Sequence, residues 1–197
     1  MRKFLGSVTA VVCFGIVTAV VGTVGVVAIA AANPEAHSVP VAADAAATCP
    51  AMPPLTVGTI VVPAGPIAGF CQDRLLNAAE IILAARAQGI GTHTQAIGVM
   101  TAMGESSLVN IDHGDTAGPD SRGLFQQRDN GAWGSYQDRM TPYIAATNFF
   151  TKLVRLPNWK ALTPTEAAHA VQVNADPNHY TAYWPAAEQV VAALSRP

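Results

Sequence analysis

From Phe4 to Ala32 the chain runs for 29 residues without one Asp, Glu, Lys, Arg or His, directly after Arg2 and Lys3. No single feature constrains the fold more. Wound as a helix at ~1.5 Å per residue, this run is about 43 Å long, more than the ~30 Å hydrocarbon core of a bilayer demands. Secretory signals hold only about 7–15 apolar residues in their central region. The run is therefore expected to be an uncleaved single-pass anchor, residues 4–32 in the membrane, within an N-terminal segment 1–33. Ala28-Ile29-Ala30 and Ala30-Ala31-Ala32 each fit a small-x-small cleavage site, so a secreted form after signal removal stays open. After Lys3 the next Lys or Arg is Arg74, and this bias puts the C-terminal part outside the cell in either case.

Past residue 33 the chain holds nine basic residues against all 13 acidic ones. That balance offers no basic stripe to nucleic acid. Residues 34–69 are rich in Pro and Ala and poor in charge; proline lacks the helix donor and crowds the preceding turn. This stretch is expected to be a semi-extended spacer. Within it Thr56–Val62 has the composition of one strand, with no partner in view. Residues 70–197 read as one domain with helical patterning. Leu75, Leu76, Ala79, Ile82 and Leu83 recur at three- and four-residue steps, with Gly89 as a helix stop. Further helices are expected from Thr94 to about Ser106, from Thr141-Pro142 through Leu153, from the capping box Thr163-Pro-Thr-Glu166, and from Trp184 to Leu194. Between the second and third lies a polar loop, Asn110 to Gly131. The fold class is mainly α, or α+β, with one long loop.

Cys49 and Cys71 fall on the external side, where thiols oxidise, and a disulfide between them is the expected pairing. Its rival makes Cys71, just before a helix N-terminus, a nucleophile with His93, His113, His169 or His179 as base. The loop around Asp112-His113-Gly114-Asp115 fails as a calcium loop, because glycine is missing from its sixth position and Ser121 stands at its twelfth. No His pair has zinc-hydrolase spacing. Neither a metal nor a cofactor is expected. Gly104-Glu105-Ser106-Ser107-Leu108 lacks the second glycine of a serine-hydrolase elbow.

Glu105 is the candidate catalytic residue. At 100° per residue it points away from the Ala96, Met100 and Met103 stripe, at the helix end where the loop begins. Downstream come Gly123-Leu124-Phe125-Gln126 and Asn174-Ala175. With Glu105-Ser106 these resemble, in order and spacing, the motifs of lysozyme-like lytic transglycosylases: Glu-Ser at a helix end, Gly-Leu-Met-Gln, and Tyr-Asn-Ala-Gly. The resemblance spans about residues 71–195, and the stretch from Val171 to Ala187 is similar to the tails of actinobacterial wall-lytic proteins. Phe125 replaces the family's Met. Val173 stands where the family has a tyrosine that contacts the site, and Asp176 replaces its glycine. Tyr180, one turn on, is the candidate for a substitute hydroxyl.

The resemblance implies a lysozyme-like domain whose partner is the glycan strand of peptidoglycan, cut between N-acetylmuramic acid and N-acetylglucosamine. Glu105 is then the single acid and base, with Ser106, Gly123, Leu124, Phe125, Gln126, Asn174 and Tyr180 at the substrate and Met103 among the cleft walls. Three alternatives remain open. A hydrolytic muramidase needs a second carboxylate from Asp112, Asp115, Asp120 or Asp129. A wall peptidase or amidase would use Cys71. A catalytically silent wall-binding module would explain Val173.

Overall fold

Helix α2 (Thr92–Ser106) has a glutamate as its one acidic residue, no Lys or Arg, and small or apolar residues on every side. Such a helix belongs in a protein interior. The structure, a computed structural model, describes residues 48–196 and sets α2 there. Every residue from Thr94 to Met103 is buried. Around it pack α1 (Gln72–Ala87), α4 (Pro142–Leu153), α5 (Pro164–Gln172) and α6 (Trp184–Leu194). The fold is mainly helical, in agreement with the sequence. The expected anchor at residues 4–32, its cleavage sites and residues 34–47 of the spacer lie outside the described residues. Among the described residues no helix is long and apolar enough to cross a membrane.

Because α2 is sheathed by four helices, it has no single buried stripe. The Ala96, Met100 and Met103 stripe therefore does not set the direction of Glu105, which reaches the surface because the last turn of α2 emerges from the sheath. The flanking helices follow their sequence signals closely. Leu75, Ala79 and Ile82 of α1 are buried, with Leu76 and Leu83 packed at the margin. Phe149, Phe150 and Leu153 of α4 are fully buried, whereas Tyr143 stays at the surface. Phe149 stacks on Phe125 at 5.0 Å and meets Phe150 edge-on at 5.3 Å, geometries that aromatic pairs prefer. Thr163 and Glu166 cap α5 reciprocally.

The spacer is the main correction. Residues 55–62 are not extended linker but a hairpin, β1 (Leu55–Val57) against antiparallel β2 (Ile60–Val62). The run expected to lack a partner pairs with itself, across a Gly58–Thr59 turn in which Gly58 takes a φ of +56°. Alternation then does the rest. Ile60 and Val62 are buried against the helices while Val61 faces water. Gln72 at the start of α1 donates its amide to the carbonyls of Val62 and Pro53. The folded domain therefore begins well before residue 70.

A short helix that the sequence pattern had not suggested, α3 (Tyr136–Met140), starts on a capping box, Ser135 with Asp138. Five residues are too few to display a period, so only the cap could have announced it.

Candidate active site

Gly104 precedes Glu105 in the last turn of α2, and its missing side chain matters. A Cβ there would lie 2.7 Å from the Tyr180 ring and 3.3 Å from His179 Nε2. Glycine lets the 179–180 segment close on α2, and His179 Nε2 rests 3.1 Å from the Gly104 carbonyl. This approach seats the buried Tyr180 so that its hydroxyl donates a hydrogen bond to Glu105 Oε1.

The tyrosine is itself held. Asn174 Nδ2 donates to the Tyr180 oxygen at 2.9 Å, and Asn174 Oδ1 lies 2.7 Å from His169 Nδ1. An amide oxygen only accepts, so this network assigns the hydrogen to His169 Nδ1. The direction of the chain is thereby fixed: His169 donates to Asn174, Asn174 to Tyr180, Tyr180 to Glu105. Gln172 donates Nε2 to the Phe125 carbonyl at 2.7 Å, and its amide is near enough to Glu105 to favour the ionised carboxylate.

Burial pushes the Glu105 carboxyl above the usual glutamate range. The bond from Tyr180, the nearby His179 and the Gln172 amide pull the other way without cancelling that effect. The Tyr180 hydroxyl is pushed well above its ordinary value, by burial first and then by the charge and hydrogen bond of Glu105. It stays a donor throughout the working range. A glutamate with a raised pKa in a groove is suited to hand over a proton near neutral pH.

Glu105 stands where two hollows meet, of about 730 Å³ and 650 Å³. Both are bordered by Glu105, Asp115, Ser121, Gln126, Asn174 and Ala175. Together they make an open groove with two arms and the acid at the junction. Gln126 and Val173, lining this groove, have left-handed backbones at φ +45° and +57°. Side chains rarely hold that region, and such residues gather at functional sites.

Not every residue expected at the substrate reaches it. Leu124, Phe125 and Met103 are buried in the core, so none of them is a cleft wall. Phe125 is taken up by Phe149. The buried Ser106 hydroxyl donates at 2.8 Å to the Leu124 carbonyl, tying the loop to the helix that carries Glu105. Gly123 is needed by the fold: a Cβ there would collide with the Arg139 carbonyl, and its φ is +76°. Gln126 and Asn174 do border the groove, and Tyr180 touches Glu105 itself. Gln172, two positions from Asn174, carries no signal of its own in the sequence, which offers His179 only as a base for Cys71 and not as a neighbour of Glu105.

The chain matches no protein-family model, and none of the curated proteins matches its sequence.

Cys49 and Cys71 form a disulfide with Cα atoms 5.4 Å apart. Cys71 thus offers no free thiol, which removes the nucleophile of the peptidase alternative. Among the loop aspartates, Asp112 pairs with Arg122, Asp120 with Arg128, and Asp129 with Arg139. Only Asp115 of the four borders the groove, its Oδ1 accepting from the Gly118 N–H at 2.7 Å. Among the described residues no cluster of three His, Cys, Asp or Glu is arranged to hold a metal ion.

Proposed function

We propose that the domain is lysozyme-like and cleaves peptidoglycan glycan strands as a lytic transglycosylase, with Glu105 as its single acid and base. One observation carries this reading above the others: a half-buried carboxyl of raised pKa, hydrogen-bonded by Tyr180, stands at the junction of a two-armed groove. A long polymer fits an open, two-armed groove better than a closed pocket. Supporting it, the three sequence motifs converge. Ser106 bonds to Leu124 of the second motif, Gln172 bonds to Phe125, and Asn174 of the third reaches Glu105 through Tyr180. Tyr180 thereby takes the part that the family gives to the tyrosine missing at Val173.

The chemistry follows from the acid. Protonated Glu105 gives its proton to the oxygen linking muramic C1 to the next sugar, and the C1–O bond breaks. The neighbouring acetamido group stabilises the cation at C1. Glu105, now a carboxylate, removes the proton from the same sugar's 6-hydroxyl, whose oxygen bonds to C1 and closes a 1,6-anhydro ring. The glutamate ends protonated, as it began, and no water is consumed. In the same reading residues 4–32 anchor the chain and the domain works outside the membrane.

Glu105→Gln keeps shape and loses the transferable proton. Turnover of purified sacculi should fall by at least about 10²–10⁴-fold with unchanged thermal unfolding, and wild-type digests should carry 1,6-anhydro ends by mass spectrometry. Full activity in Glu105→Gln refutes any glycosidase reading, and inactive wild-type protein favours the silent module. The place of Asp115 on the groove favours one second reading, hydrolysis with Asp115 as the other carboxylate, for which reducing ends are the signature.

A further inference from the structure

Away from their shared junction the two arms differ in charge. One arm adds His113, Asp176 and His179, with no Lys or Arg. The other adds Arg128, Trp133 and Lys152, with no Asp or Glu. The two cations of this second arm are not equivalent. Arg128 Nε is 2.6 Å from Asp120 Oδ1 and is neutralised by it. Lys152 is not. The four ion pairs among the described residues all use arginines, and no carboxylate there lies within 4.0 Å of the Lys152 ammonium.

Lys152 comes from the last turn of α4, and its Nζ sits 3.8 Å above the Trp133 ring. Trp133 is only 6% exposed, and its carbonyl accepts from Asn148 of the same helix. The ammonium therefore rests on a fixed aromatic face, an arrangement that cation–π attraction favours. Partial burial also lowers the Lys152 pKa, the mark of a cation that has lost some of its water without gaining a counter-ion. A cation in that state gains more from an incoming anion than a fully hydrated one does.

We infer that the arm holding Trp133 and Lys152 is a subsite for a carboxylate carried by the bound glycan, with Lys152 as the residue that selects strands bearing that charge. The inference rests on the glycan-cleaving reading of the Glu105 groove. In a strand of alternating N-acetylglucosamine and N-acetylmuramic acid, only the muramic unit carries a carboxylate, either its own lactyl group or one on an attached peptide. The charge difference then favours a register that sets an anionic substituent beside Lys152 rather than beside Asp176.

The test uses full-length Glu105→Gln, which binds without turnover, and the same protein with Lys152→Met or Lys152→Arg added. Binding is measured to three probes: a neutral chitin oligosaccharide, peptide-free glycan strands, and strands with their peptides. The Lys152-containing protein should bind at least one charged probe about tenfold more tightly than chitin, a preference that weakens with salt. Lys152→Met should erase the preference, while Lys152→Arg retains it. A preference for peptide-free strands assigns the lactyl carboxylate; one confined to peptide-bearing strands assigns a peptide carboxylate. Equal binding of all three probes, or a preference that survives Lys152→Met, overturns the subsite alone. Failure of Glu105→Gln to bind any probe overturns the glycan reading and the subsite with it.

Discussion

Two stretches border the groove, and they use polar residues in opposite ways. The loop from Asn110 to Gly134 is held by charge: Asp112, Asp120 and Asp129 pair with Arg122, Arg128 and Arg139. The stretch from Thr163 to Tyr183 contains no ion pair among the described residues, yet it supplies Gln172 and Tyr180 to Glu105 and the Asn174 that holds the tyrosine. The difference has a physical reason. A guanidinium bonded to Glu105 would hold it ionised and useless as an acid, whereas neutral donors fix its position and leave the pKa raised. Charge builds the frame, and uncharged donors set the acid.

The largest effect should come from the frame. Arg139 is 3% exposed, with Nη1 donating to the carbonyls of Asp120 and Gln127 and Nη2 3.1 Å from Asp129 Oδ1. Arg139→Met keeps much of the volume but leaves the Asp120 carbonyl without its donor, while the Gln127 carbonyl keeps the Arg122 N–H. We expect a loss of about 2 kcal/mol in chemical denaturation, mostly from the orphaned Asp120 carbonyl because Asp129 itself is solvated. If stability is unchanged, the loop is not held by charge and the contrast between the two stretches collapses.

The sequence made the helices legible because their signals are local: the period in α1, Pro142 opening α4, the Thr163–Glu166 box of α5. It made Glu105 legible through position and motif order. What it hid was contact at a distance. Leu124 and Phe125 look like groove residues beside Gln126, but the left-handed turn at Gln126 sends them into the core and leaves Gln126 outside. The Tyr180–Glu105 bond spans 75 positions and depends on Gly104, whose role is invisible without the ring packed against it. The hairpin is hidden because Thr56–Val62 has the composition of one continuous strand, and only the turn at Gly58 folds it into two.

The second effect is on the acid. Tyr180→Phe removes the donor to Glu105 and leaves Asn174 Nδ2 facing a ring. The lost hydrogen bond favoured the ionised carboxylate, so Glu105 should become still harder to ionise. An enzyme needing Glu105 protonated loses activity as pH rises through that pKa, and the alkaline limb of kcat/KM should therefore move to higher pH. The maximal rate should fall by about tenfold, because the carboxyl is no longer held for transfer. Movement of the limb to lower pH would mean that Tyr180 does not serve as donor, and neutral control of the acid would fail.

The smallest effect is the sharpest test of the contrast, because Asp115 belongs to the loop yet borders the groove beside Glu105. Its visible task is structural: Oδ1 accepts the Gly118 N–H and shapes the turn. Asparagine offers the same acceptor without the charge, so Asp115→Asn should keep the turn and hold turnover within about threefold of wild type. The products should still end in 1,6-anhydro sugars. A second carboxylate that activates water is a different matter, because its charge is the catalytic property and an amide cannot replace it. If Asp115→Asn is as damaging as Glu105→Gln, and wild-type digests carry reducing ends, the loop supplies chemistry as well as frame. The enzyme then hydrolyses its glycan with Asp115 and Glu105 as the pair.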